Sequence, residues 1–158
     1  MPSMPSTRAE PLLRLFDILQ PSPVMYLADS GLWSYPGPEE VRLALADLVA
    51  AQRGIIDRAA TVLEEREVPV PKTAYPLSYT GWHDADLGSF LPRILGSLRT
   101  QATALEAIAS TPDDETASRL SAEAVRINHQ AVDMLQQLAT KLRAGLAGNT
   151  SGAAPATS

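Results

Sequence analysis

The sequence predicts an all-α protein, a single-domain four-helix bundle. Hydrophobic residues recur at helical spacing in four separate stretches. They make up 45% of the 158 residues while aromatic residues make up only 5%. A core of alanine and leucine, poor in aromatic residues, favours helices over strands. Residues 1–9 and 147–158 are rich in small and polar residues and are predicted to be flexible tails, which leaves 10–146 as the folded domain.

The first helix is predicted to be broken in the middle. Pro21 and Pro23 interrupt it, and Ser22 between them is suited to cap a second helical piece that starts at Pro23. We therefore interpret 10–29 as one broken helical element and 30–38 as a loop. Its buried stripe is predicted to be Leu12, Leu15, Phe16 and Leu19.

The second helix has the clearest boundaries. Pro38 precedes it, Glu39 and Glu40 suit the positive end of its dipole, and Pro69 ends it. Residues 68–80 contain three prolines and form a connection that, fully extended, reaches about 43 Å. Because that is also the length of the second helix, the connection could cross the full height of the bundle or stay at one end. Helices two and three could therefore be parallel or antiparallel. The predicted stripe is Val41, Leu45, Leu48, Gln52, Ile55, Ala59 and Val62.

The third helix is predicted to begin near Thr80 or Asp84, either of which could cap it. Pro92 lies inside it, so we expect a bend there or a helix that becomes regular only after Ser89. The predicted stripe is Leu87, Leu91, Ile94, Leu98, Gln101, Leu105 and Ile108.

The fourth helix is predicted to run from Pro112, after a cap at Thr111, to about Leu146, with Gly145 and Gly148 ending it. The short turn before it makes helices three and four an antiparallel hairpin. Its predicted stripe is Leu120, Ala124, Ile127, Ala131, Met134, Leu138 and Leu142, widened by Val125, Val132, Leu135 and Ala139.

Composition argues against several classes of function. The net charge is −5 and no lysine or arginine cluster stands out, so we expect no nucleic-acid partner. No apolar run approaches the ~18 residues of a membrane span, and no secretory signal is evident, so a cytoplasmic location is expected. The absence of cysteine excludes disulfides and thiolate sites. No catalytic motif appears, so catalytic residues are predicted to be none and an enzyme is disfavoured.

Three polar residues lie on or beside the predicted inward stripes at about mid-height. Gln52 and Gln101 sit at stripe centres and Glu123 at the edge of the fourth stripe, and they reach a similar level if helices two and three are antiparallel. Buried polar groups need partners, so we predict that the three side chains form a hydrogen-bonded layer that fixes helix register. Ligand binding by the same layer is the alternative.

A second candidate site lies just before or at the start of the third helix. His83 is flanked by Asp84 and Asp86, a group that could hold a divalent metal. The same carboxylates also suit the positive end of a helix dipole. The leading interpretation is that the protein has no cofactor, and a divalent-metal site here is the alternative.

The four stripes, the long connection and the polar residues at mid-height resemble the ferritin-like (rubrerythrin-like) bundles over residues 10–145. That resemblance implies a two-metal site built from inward glutamates and two Glu-x-x-His pairs. This sequence contains no Glu-x-x-His, has Gln52 and Gln101 where carboxylates would be needed, and places Arg126 three residues after Glu123. The resemblance therefore implies a scaffold or interaction protein with a degenerate metal site, acting as a homo-oligomer or with a protein partner.

Overall fold

The computed structural model describes residues 10–70, 72, 74–76, 79 and 86–153, with backbone alone for Trp33 and 146–153. Over these residues the protein is all-helical and has no strand, which confirms the all-α prediction. None of the helices in these ranges is both long and apolar enough to cross a membrane. In chain order, the helices are α1 (Pro11–Leu19), α2 (Pro23–Asp29), α3 (Glu39–Glu65), α4 (Leu87–Ala109) and α5 (Glu115–Ala153), with a 3-10 turn at Leu32–Ser34.

The break between α1 and α2 follows the prediction. Ser22 is in an extended conformation and its Oγ accepts a hydrogen bond from the Met25 N–H at 3.3 Å, which caps α2, while Pro23 takes the first helical position. In a continuous helix the Ser22 N–H would bond to the carbonyl of Ile18. The break therefore leaves the Ile18 carbonyl free for another donor.

α3 ends before the proline that was expected to stop it. The Val68 N–H bonds to the Leu63 carbonyl at 2.9 Å and the Glu67 N–H to the Glu64 carbonyl at 3.0 Å. Glu67 has a φ of 59°. This is a Schellman closure, which satisfies the last carbonyls of the helix, with a glutamate where glycine is usual.

Polar contacts at the two ends of the bundle fix the helix directions. At one end Arg66, just after α3, pairs with Glu10 at 2.8 Å and Asp114 at 2.7 Å. At the other end the Leu87 N–H bonds to the Pro36 carbonyl at 2.7 Å. Since α3 and α4 both start near this second end, they are parallel, and the end of α3 and the start of α4 lie at opposite ends of the bundle.

α1 and α5 run opposite to α3 and α4. α5 packs mainly against α4 and then α3, and α1 packs against α3 and α4. α3 and α4 make few contacts with each other, so they lie diagonally across the core. The fully buried large side chains at the centre include Leu12, Leu15, Leu45, Ile55, Leu63, Ile94, Leu98 and Leu105.

The start of α4 differs from the sequence prediction. Asp86, not Thr80 or Asp84, is its N-cap, and the helix is continuous from Leu87 through Pro92, so it does not wait until after Ser89 to become regular. Pro92 is tolerated at the sixth helical position because its absent N–H affects only the Gly88 carbonyl in the first turn.

α5 also differs from the prediction, at both ends and in its buried face. Asp114 caps it through the Ala117 N–H at 3.0 Å, so Thr111 is not the cap and Pro112 is not in the helix. The backbone stays helical through Gly145 and Gly148 to Ala153. Met134, predicted to be buried, is 51% exposed. Leu120, Ala124 and Leu135 are buried as predicted, but between Ala124 and Leu135 the buried face passes through Asn128, not Ile127, and before Ala124 it also includes Ala117 and Ser121.

The long connection is attached to α2 by tyrosines. Tyr26 packs edge-on against Tyr75 and Tyr79, with ring centroids 5.2 and 5.3 Å apart. The Tyr75 hydroxyl donates a hydrogen bond to Asp29, which also pairs with Arg53 at 2.8 Å. Partial burial and the Asp29 carboxylate raise the pKa of Tyr75 above its ordinary value, so it stays a neutral donor.

Candidate functional site

The most organised polar group in the protein is a set of three amides at mid-height in the core, which we call the amide triangle: Gln52, Gln101 and Asn128. Their side chains are 0%, 5% and 0% exposed. Gln52 Nε2 donates to Asn128 Oδ1 at 2.8 Å and to Gln101 Oε1 at 3.3 Å. Asn128 Nδ2 donates to Gln101 Oε1 at 2.9 Å. Each side chain is thus bonded directly to the other two.

Helix geometry brings the three residues to one level. Gln52 and Gln101 lie about four turns from the starts of α3 and α4, and because these helices are parallel and begin at the same end, the two side chains meet across the diagonal. Asn128 reaches them from α5, which lies between the two helices. Gln52 and Gln101 therefore share a level because α3 and α4 are parallel, whereas the sequence analysis tied a shared level to an antiparallel arrangement.

Two main-chain oxygens complete the network. Gln101 Nε2 donates to the Ile18 carbonyl at 3.2 Å, the oxygen left free by the break after α1. Asn128 Nδ2 donates to the Leu98 carbonyl at 3.2 Å. The amide triangle consequently ties α3, α4 and α5 to the end of α1, so that one polar layer contacts all sides of the core.

Two buried polar atoms on α3 and α5 have no hydrogen-bond partner among the described residues: Gln52 Oε1 and Ser121 Oγ. Turning the Gln52 amide over would not help, because its oxygen would then face Gln101 Oε1 and Asn128 Oδ1, both of which accept. The orientation of the Gln52 side chain is therefore fixed by its two bonds as a donor.

Glu123 does not belong to this layer, which corrects the sequence prediction. It lies at the edge of α5, partly exposed, and pairs with Arg58 of α3 at 2.5 Å. A carboxylate in the core would carry a large desolvation penalty, whereas this position keeps it in contact with water and an arginine. Asn128, which the sequence reasoning overlooked, takes the third place.

The second predicted site cannot be assembled from the described part of the chain. His83 and Asp84 lie outside the described residues. Asp86 is engaged as the cap of α4, where it accepts hydrogen bonds from the N–H and the hydroxyl of Ser89, and these bonds lower its pKa. Within the described ranges no group of three or more histidine, aspartate or glutamate side chains is placed to hold a metal ion.

The amide triangle does not fit the two-metal centre that the ferritin-like resemblance implies. Hard divalent ions are held by carboxylate oxygens and histidine nitrogens. Here the central groups are neutral amides whose nitrogens donate to one another's oxygens or to main-chain carbonyls, and the carboxylate of Glu123 is held by Arg58 at the surface. The chain matches no protein-family model, no curated protein and no solved structure.

Proposed function

We propose that the protein is a non-enzymatic helical scaffold that works by binding another protein chain. The observation that carries this proposal is the amide triangle: the place where a related metal protein would keep its ligands is filled by three neutral side chains that are hydrogen-bonded to one another. A polar layer of this kind specifies register and the choice of neighbouring helices. The group is suited to holding a fold in one arrangement.

The helix arrangement supports a ferritin-like plan as part of this proposal. If α1 and α2 are counted as one broken helix, four helices surround the core and neighbours run antiparallel. The long connection joins two parallel, diagonal helices, which is the placement that a crossover in a ferritin-like bundle requires. The plan is inferred from the topology, and the metal chemistry of such bundles is not carried over.

Metal analysis tests the proposal against its main alternative, a metal-binding protein using His83, Asp84 and Asp86. Untagged protein is incubated with Fe²⁺, Mn²⁺ or Zn²⁺, desalted, and measured for bound metal and for thermal stability. We expect far less than one equivalent per chain and no shift in Tm. About one equivalent, lost in His83→Ala and kept in the surface control His129→Ala, would contradict the proposal.

A further inference from the structure

The C-terminal end of α5 extends beyond the helices that flank it. Lys141 pairs with Glu40 at 3.0 Å, and Glu40 is the second residue of α3. α4 starts at the same end. Gly145 still lines a groove with Pro38, Glu40 and Val41, so residues 146–153 project about 12 Å past the first turns of α3 and α4.

The core face of α5 becomes progressively uncovered toward this projection. Leu135 is 1% exposed, whereas Leu138 and Leu142, farther along the same helix, are only partly buried. Open grooves lie on both sides of the helix here. One, of about 1240 Å³, lies against α4 and is lined by Leu91, Leu95 and Leu142 among others; a smaller one, of about 360 Å³, lies against α3.

The projecting helix lacks the composition to be stable alone. Residues 144–153 contain three glycines and three alanines and end in Asn, Thr, Ser and Gly before Ala153. Each glycine in a helix costs about 1 kcal/mol relative to alanine, and most helical stability in proteins comes from tertiary packing. A packing partner would therefore stabilise a helix end of this composition.

The charges on the groove point to a second copy of the chain. Asp133 and Arg143 both line the larger groove on α5, carry opposite charges, and stand ten residues, or about 15 Å, apart. Neither is in an ion pair with another described residue. If two α5 helices pack antiparallel about a two-fold axis near residue 138, each Asp133 meets the partner's Arg143. The surface is then complementary to itself, as a two-fold interface requires.

We propose that the protein forms an antiparallel homodimer in which the Asp133–Arg143 stretch of α5 in each copy lies in the α4–α5 groove of the other. With the two-fold axis near residue 138, residues 146–153 of each copy then lie beside residues 123–130 of α5 in the other copy. The interface is polar at its edge and apolar at its floor. This inference rests on the proposed function, because it names the partner and the surface through which the scaffold acts.

Charge exchange tests this dimer with the full chain. The mass in solution is measured by light scattering and sedimentation between about 1 and 100 µM for the wild type, Asp133→Arg, Arg143→Asp and the double variant. We expect twice the chain mass of 16.9 kDa for the wild type. Each single reversal places two like-charge pairs in the interface and should raise the dimer Kd about tenfold or more, and the double variant should restore it.

Arg119→Asp is the matched control, because it makes the same reversal at an exposed position of α5 outside the groove, and it should leave the dimer intact. Far-UV circular dichroism confirms that each variant keeps its helix content. A monomeric wild type at 100 µM, or single reversals that leave Kd unchanged, would overturn the dimer. Neither result would contradict the proposed scaffold function, because the metal-binding measurement tests that function separately.

Discussion

Replacement of Asn128 by leucine is the most informative perturbation of the core. Leucine has the same number of side-chain heavy atoms as asparagine and branches at the same carbon, so the change removes hydrogen bonds while keeping the branched shape. It removes the 2.8 Å bond that Gln52 Nε2 donates and the 2.9 Å bond that Gln101 Oε1 accepts. The Gln52 side chain, fully buried and already with an unpartnered oxygen, keeps only the 3.3 Å bond to Gln101.

The expected loss of stability follows from those two weakened groups. Leaving a buried polar group unsatisfied costs about 1–3 kcal/mol, and the added leucine methyl groups offset about 1 kcal/mol through burial. We expect Asn128→Leu to lower the free energy of unfolding by about 2–4 kcal/mol. With an m-value of roughly 2 kcal/mol/M, the urea midpoint should fall by about 1–2 M, measured by circular dichroism at 222 nm.

Two companion variants decide whether the hydrogen bonds are responsible. Ser121→Ala removes a hydroxyl from the same buried face of α5, and because that hydroxyl has no partner among the described residues we expect no loss of stability. Replacing Gln52, Gln101 and Asn128 by leucine together should cost less than the sum of the three single changes, since no side-chain amide is then left unpaired. A cost below about 0.5 kcal/mol for Asn128→Leu, or strictly additive costs, would refute the reasoning.

Three further predictions concern the ends of the helices, and all are measured as urea midpoints. Glu67→Gly should stabilise the protein by about 0.5–1 kcal/mol, because Glu67 has a φ of 59°, which glycine adopts without strain. Gly37→Ala should destabilise it by about 1–3 kcal/mol, because the new Cβ would lie 2.7 Å from the Cβ of buried Leu87. Asp114→Ala should cost about 1–2 kcal/mol by removing both the α5 cap and the pair with Arg66, and Asp114→Asn should cost less because asparagine keeps the cap. Since Arg66 lowers the pKa of Asp114, the pair's contribution is present above about pH 4 and is lost as the pH falls through the lowered pKa, so wild type and Asp114→Asn should converge in acid.

Much of the fold could be predicted because helical periodicity and proline positions are local signals. The Ser22 cap between two prolines and the inward position of Gln52 and Gln101 both follow from spacing alone. The exact end of α3 was harder to predict from the sequence. The Schellman closure places Glu67 at a positive φ, and glutamate, unlike glycine, gives no sequence signal for that conformation.

The third member of the amide triangle was missed for a geometric reason. Two apolar stripes can be drawn on α5, one through Ile127 and Met134 and one through Asn128 and Leu135, and they differ by one residue, or about 100° of rotation. The stripe through Ile127 and Met134 contains more apolar residues and was therefore predicted to be buried. In the structure the stripe through Asn128 and Leu135 is the one that packs against α3 and α4. The spacing of Ser121, Ala124, Asn128 and Leu135 was itself helical and could have indicated the correct face.

The direction of α4 depended on tertiary contacts that no local pattern encodes. The connection of residues 68–80 is long enough for either direction, and the choice is visible only in the Pro36–Leu87 hydrogen bond and the Arg66 ion pairs at opposite ends. Glu123 was misplaced for a related reason, since its pairing with Arg58 depends on how α3 and α5 align.

Hydrogen exchange of the side-chain amides is the most direct test of the central claim that neutral amides close the core at mid-height. In ¹⁵N-labelled protein, the NH₂ signals of Gln52 and Asn128 should exchange with D₂O far more slowly than those of exposed Gln137, and Asn128→Leu should abolish the protection of Gln52. Neither signal should move when Fe²⁺, Mn²⁺ or Zn²⁺ is added. Rapid exchange of Gln52 and Asn128, or a shift of their signals on adding a stoichiometric metal ion, would contradict the account.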